Sequence, residues 1–231
     1  MDNSLALKSL LGLGGVSAAT GAAIGIPKLL GDKEELVSTL LKNKNPEKRL
    51  ISSKEVSDAA WKKAWEIYRK DNKNASKGAD TFQLSDWTGS ISTNITDSDN
   101  ATQSFLNACS SHSSKKTLFD SQLYKDVLKY CTRDTLISDL VSDLGKTALS
   151  KSSKNADSAE WKGAWERYRA INKNLQEDIW KLSEFASKKD QDGQAALEDL
   201  RTKCETHLNS KEISNKVFLG QVVDWCTVEG K

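Results

Sequence analysis

The chain has 231 residues, 37% hydrophobic and 29% charged, with a formal net charge of +2. That length allows one or two ordinary domains, and Lys and Arg are spread through the chain rather than gathered into a stripe, which argues against nucleic acid as a partner. Only Pro27 and Pro46 interrupt a sequence rich in Lys, Glu, Ala and Leu, so helix is the favoured secondary structure.

Taken from the N-terminus, residues 9–27 carry no charged side chain. This run is close to the shortest helix that spans a bilayer. Lys8 flanks one end, and Lys28 and Lys33 flank the other. Gly21 and Gly25 form a GxxxG pair that lets helices approach closely. The early Leu10, Leu11 and Leu13 and the later Ser17, Ala18 and Ala19 also fit a cleaved signal peptide. An uncleaved transmembrane helix is the preferred reading, with residues 1–32 as anchor or signal segment. Gly12, Gly14 and Gly15 do not make a dinucleotide fingerprint, because Ser17 stands where its third glycine belongs. Gly145-Lys146-Thr147 lacks the earlier glycine of a phosphate loop, Leu140 occupying that position.

Beyond the segment the sequence repeats itself. At an offset of about 100, Trp61-Lys62-x-Ala64-Trp65-Glu66-x-Tyr68-Arg69 recurs as Trp161-Lys162-x-Ala164-Trp165-Glu166-x-Tyr168-Arg169, and Ser52-Ser53-Lys54 meets Ser152-Ser153-Lys154. Further on, Asp80-x-Phe82-x-Leu84 matches Asp178-x-Trp180-x-Leu182. Cys109-x-x-His112 then matches Cys204-x-x-His207, and Tyr130-Cys131-Thr132 matches Trp225-Cys226-Thr227. The length changes fall in polar stretches such as Thr88 to Gln103, which has loop composition. Two homologous small helical modules are therefore expected, at residues 33–132 and 133–231. The predicted fold is mainly α.

In chain order, each module reads as four or five helices. Leu36, Val37, Leu40 and Leu41 open the first. Trp61, Trp65 and Tyr68 fall at i, i+4 and i+7, as do Trp161, Trp165 and Tyr168; these six are assigned to the core rather than to a ligand platform. Leu197, Leu200, Cys204 and Leu208 form a further stripe. Phe119, Leu123, Val127 and Tyr130 form the last, matched by Val217, Phe218, Val222 and Trp225.

Four cysteines allow three pairings. Duplication favours Cys109–Cys131 and Cys204–Cys226, each spanning 22 positions and stapling the ends of adjacent helices. Such bridges belong to an oxidising compartment, which puts the modules outside the cell. The count of Lys after the apolar segment (Lys28, Lys33, Lys42 and Lys44) points the other way, to a cytoplasmic C-terminus. A metal site built on Cys109, His112 and Cys131 supplies three ligands where structural zinc takes four. Free thiols are the third alternative. No GxSxG, HExxH or complete phosphate loop occurs, so no catalytic, cofactor-binding or metal residues are assigned and the chain is not expected to be an enzyme.

An N-terminal apolar segment, the W-K-x-A-W-x-x-Y-R block at Trp61–Arg69 and Trp161–Arg169, and the terminal Trp225-Cys226-Thr227 together resemble the large paralogous families of uncharacterised proteins in haemotropic mycoplasmas. The resemblance implies a cell-surface protein concerned with host contact or antigenic variation, and carries no catalytic residues. The tandem doubling departs from the single module of that family. The expected protein is anchored in the cell membrane by a single pass at residues 9–27 and displays both modules outside, with a host or surface protein as partner. The alternatives are a cytoplasm-facing anchored adaptor and, further off, a thiol or metal enzyme using Cys109 or Cys204.

Overall fold

A computed structural model describes residues 33–91 and 94–230. The first repeat runs β1 (Glu35–Leu36), α1 (Val37–Lys44), β2 (Lys48–Leu50), α2 (Ala59–Asn72), α3 (Gln103–Ser113), β3 (Lys116–Thr117), α4 (Gln122–Tyr130) and β4 (Thr132–Asp134). The second runs α5 (Ile137–Asp143), β5 (Lys146–Ala148), α6 (Ala159–Asn172), α7 (Phe185–Lys188), α8 (Glu198–Leu208), α9 (Lys216–Cys226) and β6 (Thr227–Glu229). The described chain is thus mainly helical. Among the described residues no helix is long and apolar enough to cross a membrane; the apolar segment 9–27 lies outside them.

The central helix of each repeat forms for local reasons. Asp58 caps α2 by accepting from the amides of Ala60 (2.8 Å) and Trp61 (3.4 Å), and Ser158 caps α6 by accepting from Trp161 (3.3 Å). The apolar positions then fall on one face: Trp61, Ala64, Trp65 and Tyr68 are buried in α2, and Trp161, Ala164, Trp165 and Tyr168 in α6. The buried apolar residues gather into two clusters, Val37 to Cys131 and Ile137 to Cys226, with the six aromatic residues shared between them. Truncating one of these tryptophans to Ala would cost about 3–5 kcal/mol.

Strands too short to be read from periodicity close each repeat. β2 pairs antiparallel with β4, Leu50 opposite Thr132, and β5 pairs with β6, Ala148 opposite Thr227. Just beyond, the Ile51 amide donates to Cys131 O and the Leu149 amide to Cys226 O. Ile51 is therefore the counterpart of Leu149, an offset of 98, and not of Lys151. From the start of the opening helix to the strand the second repeat is two residues shorter, one in α5 and one in the turn, where Leu144 and Gly145, the latter at φ +70°, turn the chain as Asn45-Pro46-Glu47 does in the first repeat. The loop before α6 is longer by the same amount. The Ser52-Ser53-Lys54 match with Ser152-Ser153-Lys154 is thus offset in space by two residues.

Two stripes extend less far than periodicity suggested. Phe119 precedes α4 and is 44% exposed, and Val217, in the first turn of α9, is 74% exposed. Their neighbours Val127, Tyr130, Val222 and Trp225 are buried. Leu36 likewise lies in β1 with its side chain exposed, ahead of the buried Val37.

A polar network joins α2 to the turn that follows it. The Tyr68 hydroxyl donates to Asp80 Oδ2 at 2.5 Å and accepts from the Phe82 amide at 2.8 Å, while Asp80 Oδ2 accepts from the Leu84 amide at 2.9 Å. Asn72 donates to Tyr68 O and accepts from the Thr81 amide, both at 2.8 Å. The same bonds recur among Tyr168, Asp178, Trp180, Leu182, Asn172 and Ile179. Gln83 and Lys181, at φ +53° and +52°, turn the chain so that these amides converge.

The repeats meet at β4. Asp134 pairs with Lys48 of the first repeat (2.7 Å) and Lys211 of the second (2.5 Å). Arg49 makes a forked pair with Asp143 at 2.6 and 3.0 Å. Buried Thr135 donates its amide to Glu47 O and its hydroxyl to Pro46 O.

Candidate functional site

Both disulfides are present as the duplication suggested: Cys109–Cys131 and Cys204–Cys226, each with Cα atoms 5.4 Å apart. All four sulfurs belong to buried residues. Cys109 and Cys204 sit in the middle of α3 and α8, not at their ends; Cys131 and Cys226 stand where α4 and α9 finish. Each bridge therefore clamps the middle of one helix to the point where the next gives way to the closing strand.

The histidines three positions on pack as aromatic rings. His112 lies 4.9 Å from Phe82, and His207 lies 4.6 Å from Trp180 and 4.9 Å from Phe218. Burial, aided by Lys115 beside His112 and Lys203 beside His207, holds both imidazoles below the ordinary histidine range. They are neutral at physiological pH. Each cysteine sulfur is already bonded to its partner, so a Cys–His nucleophile is not formed at either position.

Bridge and first tryptophan together form the back of a groove of about 620 Å³ in the first repeat. Leu50 to Lys54 make one wall and α3 the other, with Leu106 and Asn107 facing across it. Trp61 fixes the strand-side wall by donating its indole N–H to Ser53 O at 2.7 Å. The lining mixes apolar surface with hydroxyl and amide groups, the composition of a surface that orients a partner by a few hydrogen bonds.

The same place in the second repeat is occupied by the protein itself. Arg201 stands three residues before Cys204, as Leu106 stands three before Cys109. Its guanidinium donates to Lys151 O (2.7 Å) and Lys154 O (2.8 Å) and to Glu198 (2.9 Å), and lies 5.5 Å from the Trp161 ring centre. The loop it holds is the one lengthened by two residues. The six predicted core aromatics thus pack inside, with Trp61 also backing the groove. Periodicity did not single out Leu106 and Arg201; the signal was their common distance from the aligned cysteines.

No family model matches the chain, no curated protein matches it, and no solved structure matches it.

Proposed function

We propose that this is a non-catalytic surface protein, anchored in the cell membrane by residues 9–27 and displaying two disulfide-stapled helical modules outside the cell for host contact or antigenic display. The observation that carries the reading is the pair of buried disulfides, one per repeat, joining equivalent residues. Stable structural disulfides belong to oxidising compartments, and a charge-free run of this length directs a chain to a membrane. The resemblance to the paralogous families of haemotropic mycoplasmas supports the same setting. Within it, the open groove of the first repeat is the surface offered to a partner, a host or surface protein, while the second repeat, with Arg201 in place, serves as a spacer and an exposed face.

The test uses the full chain in intact cells. A membrane-impermeant amine reagent should label the module lysines without lysis, and alkylation under native conditions should leave all four cysteines unmodified until reductant is added. Labelling only after lysis, with four alkylated thiols, would move the modules to the cytoplasm and replace this reading by the anchored adaptor.

A further inference from the structure

One end of the first repeat combines exposed apolar side chains with lysines. Leu36, Leu118 and Phe119 are 40%, 42% and 44% exposed. They are brought together by the β1–β3 pair, in which Leu36 faces Lys116. Phe119 leans on Tyr124, ring centres 5.2 Å apart, with the Lys44 ammonium 5.6 Å from its ring centre. The stretches 33–47 and 115–125 expose Lys33, Lys42, Lys44, Lys115, Lys116 and Lys125 against Glu34, Glu35, Glu47 and Asp120. In an antiparallel pair the chain before Glu35 runs beside the chain after Thr117. Lys33 and Glu34 therefore come in alongside Leu118 and Phe119, six residues after the apolar segment ends at Pro27.

The second repeat lacks this combination. Leu136 is half-buried, Ile213 packs on the core where Leu118 is exposed, Ser214 replaces Phe119, and Ser210 replaces Lys115. At that end Lys211 pairs with Asp134 of the joining strand, and the Ile137 amide donates to Ser210 O just as the Val37 amide donates to Lys115 O in the first repeat. Lys115 and Lys125 are replaced by Ser210 and Gly220 in the second repeat, while Lys116 keeps a counterpart in Lys211.

We infer that the Leu36–Leu118–Phe119 end of the first repeat rests on an anionic bilayer surface, its aromatic and leucine side chains in the headgroup layer and its lysines among lipid phosphates. This deepens the anchored reading above and rests on it. Shallow apolar insertion flanked by Lys is the chemistry of interfacial membrane binding, and each lysine near such a surface adds modestly to the attraction.

The experiment reconstitutes the full chain into vesicles of phosphatidylcholine, alone or mixed with phosphatidylglycerol, and follows hydrogen exchange after flotation. Exchange across residues 115–124 should slow about tenfold in the anionic vesicles relative to phosphatidylcholine, and speed up again at high salt. The equivalent residues 210–219 should not respond to lipid. A chain carrying Leu118→Ser and Phe119→Ser should still float and lose the protection; both positions are exposed, so the fold is kept, and circular dichroism checks it. Flotation with identical exchange in both lipids would overturn the inference and leave the anchor intact. Equal protection in detergent without lipid would also overturn it, by showing that a protein surface covers the patch. Failure to float would remove the anchor and the inference together.

Discussion

Tyr68 and Asp80, with their counterparts Tyr168 and Asp178, show how much one buried hydroxyl can organise. Burial, with the hydrogen bond to Asp80 next, drives the Tyr68 phenol above its ordinary range, and Tyr168 is raised in the same way by burial and Asp178. Both hydroxyls are therefore held in the protonated, donating form through the neutral range. Tyr68→Phe leaves the Asp80 carboxylate and the Phe82 amide short of a partner, and should lower stability by about 1–3 kcal/mol, read as a drop in the urea midpoint. Tyr168→Phe should do the same, while Tyr124→Phe, whose hydroxyl meets the less buried Asn45, should cost less. The matching of Tyr and Asp between the repeats is visible in the sequence. Their bond is not, because it depends on the left-handed turn at Gln83 and Lys181, residues that do not advertise positive φ as glycine would.

Among the elements, helices were legible and strands were not. A helix such as α2 carries four buried apolar residues on one face plus a cap, and that pattern survives tertiary packing. The strands are two or three residues long, too short for a period of two to show. Stripes were read too far at Phe119 and Val217 because an aromatic or aliphatic residue outside or at the start of a helix keeps the spacing while leaving the core. The disulfides were legible through duplication, since an inherited pair must lie within its own repeat. Removing Cys109–Cys131 as a double Ser variant should cost about 3 kcal/mol of stability, checked by denaturant unfolding against the unreduced parent. In the candidate site, Leu106→Arg should close the groove of the first repeat and reduce any partner binding that uses it. Arg201→Leu should lower stability through lost bonds to Lys151 O, Lys154 O and Glu198, by about 1–3 kcal/mol, with limited proteolysis of residues 150–156 accelerated.

At the scale of the molecule, the joint between the repeats is electrostatic. Hydrogen bonds from Lys211 and Lys48 lower the Asp134 carboxyl to about 2, and Arg49 holds Asp143 below its ordinary value. A carboxylate with a depressed folded pKa contributes stability above its unfolded value and loses it as pH falls through the folded one. The contribution of Asp134 is thus present above about pH 4 and fades toward pH 2. Asp134→Asn should flatten that part of the stability–pH curve, and thermal melts taken from pH 5 to pH 2 would show it as a smaller fall in Tm (roughly, since surface pairs are individually weak). No composition or periodicity marks Asp134 as shared, because its partners lie 86 positions before it and 77 after it.

The pairing of β2 with β4, and of β5 with β6, has a further consequence for how such a chain could have grown. Because the closing strand of each repeat lies beside the strand that follows its opening helix, a repeat is closed on itself before the next begins, and a second unit can be appended without threading or reopening the one before. Lengthening by gene duplication then needs only a short joint like Arg133 to Leu136, and the length of the protein becomes a matter of how many units are strung together.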